Sequence, residues 1–364
     1  MPAPSQRIHH LAASLVPGDA VSDCAAMVHA VAEAAGWRSA MHADHRAGGF
    51  ATSAGPTAHL ARSLGRGDVL VYHHSTGCAA ADAFVAARDV ARVLVYHNIT
   101  PPRLLADLPD AAARAARGLA QLPGVVEAAP VCVAVSGFNA GTLEVAGAHR
   151  VEVVPLAVDD ARRELLALAA ARRRAASGGE VRFLHVGRVV PSKRLELAVR
   201  AAEFAARQTH RRGVLTLVGD GASAPDYVRS LVEFAAGHPS VDLRVAGKLD
   251  EAGLAAAYAE ADIYVCTSAH EGFCVPLVEC MFAELPVVAL DAGAVADTLG
   301  GSGIVVAGDD PVPLAEAALA VLGDPALRAA LLRNQRERRA RFTTECFAGS
   351  WLPLLADLAP GGVR

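Results

Sequence analysis

Short apolar runs alternate along the chain with longer stretches in which alanine, valine and leucine recur at helical spacing. A brief apolar run bounded by turn residues fits a strand covered on both faces, and a longer stretch with a 3.6-residue period fits the helix that covers it. The alternation therefore predicts βα units and parallel sheets, an α/β class. In the first half, strands are predicted at 8–13, 68–73, 93–97, 131–135 and 151–155. In the second half they are predicted at 181–186, 214–218, 242–246, 263–266 and 287–290. Between the halves, 159–180 is charged and Ala-rich and ends in Ser177-Gly178-Gly179, a helix followed by a hinge. The tail predicts helices at 324–341 and 343–358, the second with Phe347, Trp351, Leu354 and Leu355 on one face.

With 364 residues the chain exceeds what one core serves, which predicts two domains. The expected division is 1–160, a linker 161–180, a second domain 181–342, and a closing helix in 343–364 that packs back on the first domain. Hydrophobic residues make up 53% and charged residues 20%, so the chain should fold. A net charge of -4 argues against nucleic acid as a partner. Residues 1–10 lack the charged and apolar regions of an export signal, and no apolar run reaches the ~18 residues that span a bilayer. The seven cysteines include no C-x-x-C pair, which fits reduced thiols, no zinc site and a cytoplasmic location.

Three segments carry candidate chemistry. Gly219-Asp-Gly221-Ala-Ser-Ala224 follows a predicted strand and matches a dinucleotide pattern. The acidic residue expected at the end of the next strand is missing, since Asp242 stands at its start, and Pro225 interrupts the helix start. A tight turn into a helix is the preferred reading. His185-Val-Gly187-Arg188-Val-Val-Pro191-Ser-Lys193-Arg194 places basic groups at a helix start, where the backbone is already partly positive. An anion shared there removes the conflict, against the alternative of solvated surface cations. In Ser268-Ala-His270-Glu271-Gly272-Phe273-Cys274-Val275-Pro276-Leu-Val-Glu279, free N–H groups at Cys274 to Leu277 form a second anion cradle, with Gly272 allowing close approach. Glu271 and Glu279 would accept hydroxyls, with a first-turn acid facing the helix dipole as the plainer reading of Glu279.

Gly187-Arg188 with Lys193, Gly219-Asp220-Gly221, Gly247-Lys248 and Glu271-Gly-Phe…Glu279, in this order and spacing, resemble the retaining glycosyltransferases of family four. The likeness continues through Pro286-Val-Val-Ala289, Ala292-Gly-Ala-Val295 and Gly303-Ile-Val-Val306. It implies the GT-B fold, two Rossmann-like domains with parallel sheets facing across a cleft. It also implies that Arg188 and Lys193 hold a donor diphosphate, Glu279 the ribose, and Glu271 the donor sugar. Gly187, Gly272 and Val275 would line the donor, with Phe273 and Cys274 giving amide N–H groups to it and backbone at Gly247, Lys248 and Leu249 lining the base. Gly18 and Asp19 would approach the donor from the first domain. His97 takes the family's strand-end position near sugar and acceptor, and with Glu271, Arg188 and Lys193 forms the expected catalytic set. His73 and His74, read as the start of a loop at the strand edge that faces a ligand crevice, and Asp23 are the expected acceptor contacts, against polar loop residues with no ligand as the equal alternative for the two histidines. Two departures stand out: Glu284 where the family has Gly, and Asp297 where relatives often carry Glu.

The implied reaction is retaining transfer from a nucleotide sugar, with a UDP sugar favoured and GDP-mannose next. The acceptor would be a carbohydrate, natural product or lipid-linked glycan. No Asp-x-Asp pair is present, so a metal-independent mechanism without a separate cofactor is expected. Arg103, Arg114 and Arg117 would allow peripheral membrane contact, although a solvated helix face is the preferred reading at this charge density. The alternatives are a nucleotide-sugar epimerase of the same fold and a non-catalytic nucleotide-sugar-binding protein.

Overall fold

Two sheets order the chain in the computed structural model, which describes residues 6–47, 54–172 and 179–358. The first contains β1 (Arg7–Leu15), β2 (Arg38–Arg46), β3 (Ala54–Pro56), β4 (Val69–His74), β5 (Ala91–Tyr96), β6 (Val131–Ala134) and β7 (Val151–Val153). Its order is β3-β2-β1-β4-β5-β6-β7, parallel throughout. The second contains β8 (Glu180–Val186), β9 (Arg212–Val218), β10 (Val241–Gly247), β11 (Ile263–Cys266), β12 (Val287–Leu290) and β13 (Ile304–Val306), in the parallel order β10-β9-β8-β11-β12-β13. Each is a doubly wound α/β sheet. The order reverses between β1 and β4 in the first and between β8 and β11 in the second, where strand ends of such sheets form crevices.

The central strands bury residues on both faces, as Val69 to His74 and Ile263 to Cys266 show. Alanine lets the covering helices come close: in Leu195–Thr209, Ala198, Ala201, Ala202, Ala205 and Ala206 are buried with Leu195 and Val199 against β8 and β9. Strands β2, β3 and β13 are additional to those predicted. The alternation in β2 is broken by His42 and Asp44, and only its middle, Met41 to Ala43, is buried. The other two are three residues long, too short to show a period.

The chain divides into one unit of Met1–Ala157 with Thr344–Arg364 and a second of Val158–Thr343. Much of the segment expected as a linker at 161–180 is the helix Asp160–Arg172, which counts with the second unit. Ser177 and Gly178 of the expected hinge lie outside the described residues. The helix expected at 324–341 ends at Arg338 and continues as a 3₁₀ turn, Arg339–Phe342. The helix Thr344–Leu358 counts with the first unit, buries Phe347, Trp351, Leu354 and Leu355, and packs on Ala20–Ala34. Among the described residues no helix is long and apolar enough to cross a membrane.

Glu284 adopts a left-handed backbone, φ 52°, where a side chain is strained. Its carboxylate takes two hydrogen bonds from Arg336, at 2.8 and 2.6 Å, which fix the turn from outside. Trp351 is fully buried in the first unit. Trp351→Ala is expected to destabilise that unit by about 3–5 kcal/mol, the cost of a large core cavity. Urea denaturation measures it, and a loss under about 1 kcal/mol would show that the helix adds little to the unit.

Candidate functional site

Three glycines close the strand ends of the second unit. Gly187 follows β8 with φ 149°, Gly219 follows β9 with φ 143°, and Gly247 ends β10 with φ 68°. The Gly187 N–H donates to Val218 O and the Gly219 N–H to Gly247 O, both at 2.9 Å. A Cβ on Gly219 would collide with the Gly187 carbonyl. The Gly219-Asp-Gly221 segment thus serves as a packed turn leading to the helix Pro225–Ala236, with Asp220 accepting from Ala222 N–H at 2.8 Å.

At the β8/β11 crevice the two following loops are tied together. Ala269 N–H donates to Ser192 O at 2.8 Å, and Thr267 Oγ1 donates to Lys193 O at 2.7 Å. Arg194, left-handed at φ 49°, donates to Thr267 O and Ser268 O at 2.9 and 3.0 Å and pairs with Asp309, so this arginine holds loops together. Across the crevice Lys193 Nζ meets Glu271 Oε1 at 2.5 Å, and Ser268 Oγ donates to the same oxygen at 2.6 Å. Burial pushes the Glu271 carboxyl up, but the Lys193 ammonium and the hydrogen bonds from Lys193 and Ser268 outweigh it and leave the pKa below its ordinary value. Lys193 mirrors this: burial lowers it, and Glu271 returns it above its ordinary value. The alternative reading of Lys193 as a solvated surface cation is corrected, because the fold supplies Glu271 as its partner.

Glu271 is also fixed through its backbone. Ala294 N–H donates to Glu271 O at 2.8 Å, and a Cβ on Gly293, φ 59°, would collide with that carbonyl. The left-handed residue of the next turn is Cys274, φ 70°, and not Gly272. It precedes the helix Val275–Phe282. Phe273 is buried, stacks edge-on to Phe342 at 5.8 Å, and its carbonyl accepts from Thr298 Oγ1 at 2.6 Å. These contacts anchor Phe273 just ahead of the helix N-terminus, whose first amide groups are free of intrahelical partners.

Glu279 lies in the second turn of that helix and is buried, so the reading of it as a first-turn acid facing the dipole is corrected. Tyr258 Oη donates to Oε2 at 2.6 Å and Arg162 Nη1 to Oε1 at 3.0 Å. Burial raises its pKa, with Arg162 and the Tyr258 bond opposing. Arg162 also grips Glu251 at 2.8 and 2.5 Å. This residue was missed from the sequence. It lies 117 positions from Glu279, in the segment taken for a linker, and only its place in a charged helix start could have flagged it. Arg188 is exposed, and Gly247, Lys248 and Leu249 sit at the open end of β10.

In the first unit, Gly18 is left-handed at φ 74°, and Asp19 caps the helix Ala20–Ala34 by accepting from Ser22 N–H and Oγ at 3.1 and 2.9 Å. The Asp19 carboxylate thus serves as a helix cap. Asp23 is exposed in the first turn of that helix. His73 and His74 are strand residues of β4 and fully buried, which corrects their placement in a loop: the strand runs one residue further and is covered on both faces. His74 bonds Tyr72 Oη at 2.9 Å and Gly118 O at 3.0 Å, and so is structural. His73 Nδ1 lies 3.0 Å from His97 Nε2, at the end of β5. Burial lowers the His97 pKa to about 3, and that of His73 falls well below its ordinary value, so both imidazoles are neutral near pH 7. Cys24 joins these two histidines, and Cys266 and Cys274 join Glu271, in groups whose donor atoms lie within 4.8 Å.

Because the folded pKa of Glu271 is lowered, its pairing stabilises the unit above the carboxylate's ordinary 4.5 and is lost as the pH falls through the folded value. Lys193 loses its share in the opposite direction, as the pH rises through its raised folded value. Glu279, with a raised value, regains stability on acidification. Glu271→Gln is therefore expected to unfold more easily than the parent at neutral pH, with the gap narrowing below about pH 4.5; a gap independent of pH would rule out the pair as its source. Arg162→Ala is expected to cost about 3 kcal/mol, the low end for a broken buried pair because Arg162 keeps 20% of its side chain exposed, and Arg162→Ala/Glu279→Gln should recover part of it in a thermal melt.

Comparison with known proteins gives partial matches. A model described as glycosyl transferases group 1 matches residues 180–324. A D-inositol 3-phosphate glycosyltransferase of Kineococcus radiotolerans is 34% identical over 221 residues, 53% of this chain and 48% of that one. A GDP-mannose-dependent alpha-mannosyltransferase of Mycolicibacterium smegmatis is 38% identical over 112 residues, 31% of this chain and 26% of that one. The matched stretch thus spans about half or less of these relatives. Among solved structures, sucrose-phosphate synthase from Thermosynechococcus elongatus aligns with a TM-score of 0.75 at 21% identity, covering 97% of this chain and 99% of that one. Anabaena HepE in complex with UDP aligns with a TM-score of 0.74 at 18% identity, covering 97% and 100%. These likenesses show the fold, two Rossmann-like domains of the GT-B type. Residues 180–324, which carry the Lys193, Glu271 and Glu279 constellation, are thus the part of the chain that matches the glycosyl transferases group 1 model.

Proposed function

We propose that this chain transfers a sugar from a nucleotide-sugar donor to an acceptor hydroxyl. The observation that carries the reading is the β8/β11 crevice, where Lys193, Glu271 and the N-terminus of Val275–Phe282 converge in a domain of the group 1 family. A departing nucleoside diphosphate gathers negative charge, and fixed cations and amide N–H groups stabilise it without reorganising. Lys193 and the amides of Cys274 and Val275 would take that role, with Arg188 as an exposed second cation. Held by Lys193 and Ser268, Glu271 stays ionised to accept sugar hydroxyls, and Glu279 would accept those of the ribose. His97, neutral, is carried over by family likeness as a residue of the transfer. Arg188 and Lys193 supply charge that a metal would otherwise bring, so the transfer is proposed to run without metal and, by family likeness, with retention.

A UDP sugar is the first donor to test and GDP-mannose the second, in keeping with relatives named for GDP-mannose and a structural neighbour holding UDP. Relatives named for inositol 3-phosphate and phosphatidyl-myo-inositol make polyol and lipid-linked hydroxyls the first acceptors to try, besides carbohydrates and natural products. Seven free thiols fit a reducing compartment, the cytoplasm. The test follows nucleoside diphosphate release from UDP and GDP sugars with an acceptor panel and EDTA. Release in EDTA is expected, and Lys193→Ala should lower it about 100-fold or more, as loss of a leaving-group stabiliser does. Donor epimerisation without release, or binding without turnover across the panel, would overturn the reading.

A further inference from the structure

Cys266 and Cys274 sit beneath the proposed donor loop. Cys266 ends β11, is fully buried, and pairs in register with Ala289 of β12. Cys274 is half-buried and holds the left-handed turn before Val275–Phe282. Both sulfurs lie within 4.8 Å of each other and of a Glu271 carboxylate oxygen, and Ser268 Oγ is 3.6 Å from Cys266 Sγ. The transfer proposed above uses the Cys274 amide and neither sulfur. A hydrogen bond from the Cys274 thiol draws the Cys266 thiol below its ordinary value despite burial, and the Lys193 ammonium adds to this. The same bond, with burial, pushes Cys274 up.

We infer that Cys266 and Cys274 form a peroxide-sensitive dithiol, a modification site that closes to an intramolecular disulfide and shuts the donor loop. The co-reactant is hydrogen peroxide. The Cys266 sulfur, drawn toward its thiolate by the Cys274 hydrogen bond, attacks one peroxide oxygen; an S–O bond forms as O–O breaks, and the departing hydroxide takes the Cys266 proton to become water. The Cys274 sulfur then attacks the sulfenic sulfur; S–S forms as S–O breaks, and a second water leaves with the second proton. Two electrons pass from the dithiol to the peroxide.

A disulfide brings its sulfurs to about 2 Å, so one partner must move. Cys266 is held in the sheet by β12, so the turn at Cys274 is the part that yields. Drawing Cys274 toward β11 takes the first amides of the helix out of position and crowds Glu271 against Lys193. The effect on ligand binding rests on the donor-site reading, whereas bond formation does not.

The test titrates the reduced, full-length chain with peroxide, blocks remaining thiols with N-ethylmaleimide, and reads intact and peptide masses. The expected product is lighter by two hydrogens, with Cys266 and Cys274 linked within one peptide and protected from the maleimide. Cys274→Ser should abolish the linkage, and the wild-type peptide map decides the matter if Cys266→Ala fails to fold. UDP and GDP binding by calorimetry should weaken at least about tenfold on oxidation and return with dithiothreitol. Oxidation of Cys274 to a sulfinic acid while Cys266 stays alkylatable, or linkage to a different cysteine, overturns the dithiol. A linked form that binds UDP or GDP as tightly as the reduced chain overturns the shut loop. If the reduced chain binds neither nucleotide, the donor-site reading fails while the measured linkage still supports the dithiol.

Discussion

The second unit is organised around a carboxylate that cannot be buried alone. Removing an ionised group from water costs several kcal/mol unless a partner and hydrogen bonds replace the solvent. Glu271 meets that demand through Lys193 and Ser268, and its backbone is locked by Ala294 N–H against Gly293. Satisfying it draws the loop after β8 onto the loop after β11, at the point where the strand order reverses. The glycine closures at Gly187 and Gly219 let β8 and β9 end close enough to leave that edge open. The charges that tie the two loops together thus line the crevice proposed above for the donor.

Glu279, on the helix that follows, repeats the arrangement with Tyr258 and Arg162 in place of Lys193 and Ser268. The outcome differs in sign: Glu271 ends below its ordinary pKa and Glu279 above it, since burial outweighs an arginine that also serves Glu251. Arg162 makes the helix Asp160–Arg172 part of the second unit's chemistry as well as its packing.

The first unit handles buried polarity with imidazoles. His9 joins Asp68 and His42 at 3.2 Å each, His74 joins Tyr72 and Gly118, and His73 joins His97. Desolvation lowers the pKa of all five of these histidines, which favours the neutral form that a sheet buried on both faces tolerates. His10 is buried among them at about pKa 3 with both ring nitrogens unpartnered.

The α/β class and ten of the strands are legible in the sequence because a strand buried on both faces leaves a continuous apolar run, as at 263–266 and 287–290. The glycine and proline positions of the 268–279 loop are local signals too, since Pro276 and the residues around it fix a helix start. Which charges meet is not a local property. Lys193 and Glu271 are 78 positions apart and Arg162 and Glu279 are 117 apart, and nothing in their flanking residues encodes the pairing. Burial likewise depends on what covers a segment, so two polar residues that read as a loop, His73 and His74, belong to a covered strand. Periodicity and turn chemistry set the elements, because both act between neighbours along the chain. Charge pairing and protonation arise only when distant strands share one sheet edge, where desolvation makes each group depend on its partner.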